Sequence, residues 1–172
     1  MKIKVYIDTN IFIYAIIKHP RLGKICSKIL KDMESRVYSG YGSHLVAMEL
    51  MEALSKINPS IAKRALKLYL ALNLTIIPIT EEVLDLAATI NEVVNIRYDA
   101  VHAALLMLNN IPVIVTNDID DWLKLSKNFD KVLLKVAREG YKIDLKKVNV
   151  VTPSDYSTWI KNNSSFSKNI SS

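Results

Sequence analysis

Acidic residues fall at four places where chemistry could be built. Asp8 closes the alternating segment Lys2 to Ile7 and precedes Thr9-Asn10. Asp118 follows the β-branched run Val113-Ile114-Val115-Thr116, with Asp120 and Asp121 close behind. Ligands of open α/β sheets bind at the carboxyl ends of strands, so Asp8 and Asp118 point into one crevice if their strands are neighbours. Glu49 and Asp99 lie on segments with helical periodicity. Two carboxylates about 4 Å apart repel by roughly 4 kcal/mol at an effective dielectric near 20. A cluster of such acids is therefore a poor structural device unless cations occupy it. Oxygen ligands favour hard divalent ions, Mg²⁺ or Mn²⁺, over zinc. Such ions bind phosphate oxygens, lower the pKa of a bound water and stabilise a leaving oxygen, which is the chemistry of phosphodiester hydrolysis. No Ser–His–Asp arrangement, P-loop or Gly-rich dinucleotide loop competes for the role.

Each acid also has a structural reading. Asp8 and Asp118 could cap the helices that follow them. Asp99, as a first-turn acid of a helix over Arg97–Leu108, would gain about 0.3–1 kcal/mol from the helix dipole. Asp118 and Asp121, three apart, would share one side of a helix, with Asp120 turned away by about 100°. Glu52 has Lys56 four residues on, the favourable order for a surface pair. Glu49 has no such cation. It sits at the edge of the apolar stripe Val46, Leu50, Ala53, Leu54 and Ile57, so its carboxylate needs a partner from elsewhere in the fold. His102 lies on the apolar helix behind Asp99. A lone histidine there is more often a satisfied core residue than a ligand, and His19 and His44 carry no stronger signal.

The elements that must position these residues follow from periodicity and punctuation. Lys2–Asp8 alternates as a strand, with Tyr6 on the polar face. A short helix over Asn10–Ile17 follows, then a longer one from Pro20 to about Arg36. Ser39-Gly40-Tyr41-Gly42 reads as a turn. Ser43 caps a helix to Ile57, ended by Asn58-Pro59. Ser60–Asn73 is helical, Leu74–Ile79 a strand, and Thr80 caps a helix with Glu81 and Glu82 in its first turn. Arg97–Leu108 is helical and Val113–Thr116 a strand. Asp118 opens a helical stretch, and a charged helix over about Asn128–Glu139 stops at Gly140. Val148–Val151 is a last strand. Strands alternating with helices define an α/β domain around a parallel sheet.

The chain has 172 residues, half of them hydrophobic and 23% charged, with 4 Gly and 5 Pro. That is one globular domain rich in long helices, excluding a disordered chain or a turn-rich β protein. Residues 1–160 form the expected domain, and 161–172 a Ser/Asn-rich disordered tail. Cys26 is the only cysteine, so neither an intrachain disulfide nor a Cys-based metal site is available, and a reducing cytoplasm is the expected compartment. The uncharged stretch from Ala100 to Asn117 is broken by Asn109-Asn110-Ile111-Pro112, so no membrane span is expected. A net charge of +6 suits a polyanionic partner. Two basic stripes have helical spacing: Arg21, Lys24, Lys28 and Lys31, then Lys124, Lys127, Lys131, Lys135 and Arg138. Each could bind nucleic acid or be an ordinary solvated face.

Val5-Tyr6-Ile7-Asp8-Thr9-Asn10, Ser43 followed by Glu49, Arg97-Tyr98-Asp99-Ala100-Val101-His102-Ala103-Ala104, and Val115-Thr116-Asn117-Asp118 with Asp121-Trp122 occur in an order and spacing that together are specific. In these pieces the chain resembles the PIN-domain nucleases, and among them the VapC-type toxins of prokaryotic toxin–antitoxin pairs, over nearly all of residues 1–155. The resemblance implies a three-layer α/β/α fold with a central parallel sheet. It implies catalytic acids at Asp8, Glu49, Asp99 and Asp118, with Asp121 a further acid. Metal ligation falls to Asp8, Asp99, Asp118 and Asp121, and supporting roles to Asn10 and Thr116. Some family members space the last acidic pair by two, which leaves Asp120 as the alternative to Asp121. The stretch from Leu123 to Val148 is longer than in the compact toxins. The implied activity is a Mg²⁺- or Mn²⁺-dependent endoribonuclease acting on single-stranded or structured RNA, with a small antitoxin protein as partner and a homodimer as assembly. The alternatives are an RNA-processing nuclease without antitoxin, or a noncatalytic nucleic-acid- or protein-binding module.

Overall fold

A computed structural model describes residues 2–164. The elements run β1 (Lys4–Ile7), α1 (Thr9–Ile16), α2 (Gly23–Glu34), β2 (Ser39–Ser43), α3 (His44–Ser55), α4 (Pro59–Ala71) and β3 (Thr75–Ile77). They continue with α5 (Glu81–Val93), α6 (Asp99–Leu108), β4 (Val113–Val115), α7 (Asp120–Arg138), β5 (Asn149–Val151) and α8 (Pro153–Ser164). All neighbouring strands are parallel, in the order β3-β2-β1-β4-β5. The helices form two packed sets flanking the sheet, α5 against α6 and α7, and α1 against α2 and α3, with α4 on α3 and α8 on α2. This is the three-layer α/β/α architecture expected from the motifs.

The order reverses direction at β1, so β1 and β4 make the topological switch point where α/β proteins bind ligands. Ile7 pairs with Val115 across that junction, which sets Asp8 beside Thr116. The Asp8 N–H donates to the Val115 carbonyl at 3.1 Å, extending the ladder to the acid.

Four expectations change. Tyr6 is fully buried, because a central strand of a parallel sheet is covered on both faces. Ser39–Ser43 is strand β2, not a turn. Its glycines serve close packing: a Cβ on Gly42 would collide with the Tyr69 hydroxyl and Leu74, and one on Gly40 with Met33. The two helical stretches after Asp118 are one helix, α7, whose buried face is Trp122, Leu125, Phe129, Val132 and Val136. It ends as expected at Gly140 (φ 92°), where the N–H groups of Gly140 and Tyr141 donate to Ala137 and Val136 in a Schellman arrangement. Finally, residues 161–164 continue α8. That helix docks on α2 through Tyr156, whose hydroxyl donates to Asp32 at 2.8 Å, and Trp159 meets the ring of Tyr38, just before β2, edge-on. The remainder of the expected tail, 165–172, lies outside the described residues.

Candidate active site

Asp8 caps α1: Oδ1 accepts from the Thr9 N–H at 2.7 Å. Its other oxygen accepts from the Asn10 amide and from the Thr116 hydroxyl, both at 2.6 Å. Asn10 also donates to Thr116 Oγ1 and accepts from the Asn117 N–H, each at 3.0 Å, tying the loop after β4 to the start of α1. The two supporting positions, Asn10 and Thr116, thus both hold the first acid. Burial raises the Asp8 pKa, partly offset by His102, Thr116 and the Thr9 N–H.

Ser43 caps α3 as expected, accepting from the Val46 N–H at 3.2 Å, and α3 presents Glu49 to the same crevice. The partner Glu49 lacked in its own helix comes from two other elements. The Thr9 hydroxyl donates to one carboxylate oxygen, and His102 Nε2 lies 3.3 Å from the carboxylate. Burial alone would raise Glu49, but the hydrogen bond and charge of His102, with the Thr9 hydroxyl, bring it below the ordinary carboxylate value. On the other side of the imidazole, Nδ1 meets the Tyr6 hydroxyl at 2.8 Å, and Tyr6 meets Ser43 Oγ at 2.6 Å. A buried polar chain therefore runs from β2 through β1 and α6 to Glu49.

His102 is the residue that sequence reasoning undervalued. It is a satisfied core histidine, as its apolar surroundings suggested, but its satisfaction comes from the candidate site itself. Burial disfavours its charged form, yet Glu49, Asp8 and Asp99 outweigh that and raise its pKa. The missed signal was Tyr6 in a central strand, a buried hydroxyl that had to find a polar partner.

Asp99 stands in the first turn of α6, three residues before His102. Burial pushes its carboxyl up to about 6; His102 opposes the shift, while the charges of Asp8, Asp121 and Asp118 add to it. The cluster of ligand atoms itself is that of Asp8, Glu49 and His102; Asp99, Asp118 and Asp121 are not part of it, though the charges of Asp8, Asp121 and Asp118 are close enough to disfavour the ionised Asp99. Asp118 does not cap α7; the N-cap is Ile119, without a side-chain bond. The Asp118 N–H instead donates to Thr116 Oγ1 at 3.1 Å, and its side chain is exposed. Asp121 is 14% exposed and ion-paired with Lys124 at 2.5 Å, with Arg97 at 4.0 Å. Asp120 is exposed and exerts no comparable influence on Asp99.

The donor set fits a hard divalent cation. Ligand atoms of Asp8, Glu49 and His102 all lie within 4.8 Å of one another. His102 has both ring nitrogens engaged, so the oxygens are the better ligands and the imidazole the better buttress.

Lys28 pairs with Asp32, and its ammonium lies 5.6 Å from the Tyr156 ring centroid. Lys135 pairs with Glu92 and Glu139. These members of the basic stripes fasten helices together, while Arg21, Lys24 and Lys31 are exposed. Among the described residues no helix is long and apolar enough to cross a membrane.

Residues 5–128 match the PIN domain family model, and the chain belongs to the PIN-domain family. The solved structures it is similar to include VapBC2 from Rickettsia felis, bound to a promoter DNA fragment, with a TM-score of 0.58 and 18% identity over 87% of this chain and 98% of that one. VapC20 of Mycobacterium tuberculosis, a toxin that cleaves the sarcin–ricin loop, gives 0.59 and 14% over 69% and 93%. A toxin–antitoxin complex from Klebsiella pneumoniae gives 0.52 and 20% over 69% and 89%. At these identities the likeness is one of fold. No protein of curated function matches the chain in sequence.

Proposed function

We propose that the protein is a Mg²⁺- or Mn²⁺-dependent endoribonuclease of the VapC type, kept in check by a small antitoxin protein. The observation that carries this reading is the cluster at the carboxyl end of β1, where ligand atoms of Asp8, Glu49 and His102 lie within 4.8 Å of one another, with Asp99 one helical turn before His102 and raised to about 6, chiefly by burial. Asp8, Asp99, Asp118 and Asp121 would hold the cation. When bound, it would supply an activated water and charge stabilisation at the phosphate. Thr116 and Asn10 orient Asp8. Thr9 and His102 orient Glu49 and keep it ionised.

The net charge of +6 supports a polyanionic substrate, with Arg21, Lys24 and Lys31 as candidate phosphate contacts, and Lys28 among them only if it leaves Asp32. RNA, the antitoxin and a homodimer follow from the family resemblance, and the toxin–antitoxin complex among the structural neighbours supports the second. A cleavage assay on structured and unstructured RNA, with Mg²⁺ or Mn²⁺ against chelator, tests the reading. Divalent-dependent cutting that is lost in Asp8→Asn is expected. RNA left intact by the wild type in every metal would overturn it.

A further inference from the structure

The segment leading into Asp99 is held in a costly shape. Near the end of α5, the Asn91 amide donates to the Arg97 carbonyl at 3.0 Å, and its oxygen accepts from the Ile96 N–H at 3.0 Å. Between these anchors Arg97 adopts φ 51°, in the left-handed region that L residues rarely enter. Such conformations persist only where the surroundings over-determine them, and they gather at functional sites.

The consequence falls on Tyr98. It is already helical (φ −67°, ψ −25°), and its carbonyl accepts from the Val101 N–H at 2.9 Å. It therefore sits one turn before His102 on the same face of α6. His102 meets Glu49 and clusters with Asp8, so the helix register puts Tyr98 on the turn that leads into that cluster, next to Asp99. It is 78% exposed, the most exposed of the large hydrophobic residues described. The neighbouring Arg97 lies 4.0 Å from Asp121.

A polyanion approaching clustered carboxylates is repelled. A nucleobase stacked on an aromatic ring is not, because stacking needs a π-face rather than a charge. We infer that Tyr98 is a stacking platform for an unpaired nucleobase beside the phosphate presented to the acidic cluster, with Arg97 on a flanking phosphate. This rests on the nuclease reading and assigns a residue to the choice between the RNA forms it allows: a paired base cannot offer its face, so a Tyr98 platform favours single strands, loops and bulges.

The test uses the full chain, with Ca²⁺ as probe ion, and an unstructured oligoribonucleotide carrying 2-aminopurine at successive positions. Wild type should quench the fluorophore at one position. Tyr98→Ala should lose that quenching and bind about 5- to 150-fold more weakly, the range for one stacked base. Tyr98→Phe and Tyr98→Trp should keep both, and all forms should bind the matching duplex alike. An unchanged melting temperature in Tyr98→Ala would confirm that the fold is intact. Affinity and quenching equal to wild type in Tyr98→Ala would overturn the platform while leaving the nuclease reading in place. So would a loss confined to binding of a protein inhibitor. A wild type that neither binds nor cuts RNA would overturn both.

Discussion

His102 Nε2 and the Glu49 carboxylate, 3.3 Å apart, shift each other's titration in opposite directions. Each makes the other's charged form cheaper to bury. Removing the imidazole leaves Glu49 with the Thr9 hydroxyl and a site poorer in positive charge. His102→Ala should cost about 1–3 kcal/mol, the range for a buried group losing its partner. His102→Gln can place an amide near Nε2, whereas His102→Asn reaches only toward Tyr6. Gln should therefore retain more of both urea stability and Mn²⁺ affinity. Asn outperforming Gln would show that the Tyr6 contact dominates.

The acids give the metal-free protein a defined pH profile. Asp99 titrates at about 6, above its ordinary 3.8, so the folded state binds more protons than the unfolded chain in between. Its contribution is therefore greatest at low pH and falls as pH rises from about 4 to above 6. Asp8 and His102, both raised, act in the same direction, with the His102 contribution complete below 6.5 and lost as pH climbs through its folded value. Glu49, lowered, opposes them below 4.5. In chelator, Asp99→Asn should melt at or above wild type at pH 7, and this advantage should shrink toward pH 4. Calorimetry across that range checks it; a pH-independent deficit would make Asp99 an ordinary helix-dipole partner.

Divalent ions should reverse the penalty. At about 100 times the dissociation constant, Mn²⁺ or Mg²⁺ should add about 2.7 kcal/mol. For a domain of this size that is a rise of about 5–10 °C in melting temperature. Asp8→Asn and Asp99→Asn should each respond less. Equal shifts in wild type and both variants, at fixed ionic strength, would place the ion elsewhere.

The strand-to-helix punctuation was legible because single residues carry it: Ser43 and Thr80 cap their helices, and Gly140 ends α7. The need of Glu49 for a distant partner could also be read, since its own helix offers none. What could not be read depends on contacts made across the sheet. Gly40-Tyr41-Gly42 has turn composition, and only the packing of Met33 and Tyr69 over it makes glycine the strand residue. Tyr6 alternates with buried residues, and only its central place in the sheet hides both faces. His102 joined the site through Tyr6 and Glu49, which are 96 and 53 positions away. Residues 161–164 are polar enough to resemble a tail, and continue a helix anchored earlier by Tyr156 on Asp32 of α2 and Trp159 against Tyr38.

The acids at the start of α7 should not be equivalent. Asp118 and Asp120 are both exposed and Asp121 half-buried, but the charges acting on Asp99 include those of Asp121 and Asp118 and not that of Asp120. Asp121→Asn and Asp118→Asn should each impair divalent binding and cleavage, and Asp120→Asn should remain within about twofold of wild type, as surface substitutions usually do. Asp121 is already paired with Lys124, an ammonium that occupies part of the negative field a metal would neutralise. A cation must therefore compete with it. Lys124→Ala should tighten Mn²⁺ binding at low salt by about 1.5- to 5-fold, the factor corresponding to an exposed pair of about 0.2–1 kcal/mol. Raising the ionic strength should erase the difference, because it screens the pair in the wild type. Isothermal titration of wild type, Lys124→Ala and Asp121→Asn at two salt concentrations would decide it. Weaker binding in Lys124→Ala would mean that Lys124 holds Asp121 in its working position rather than competing for it.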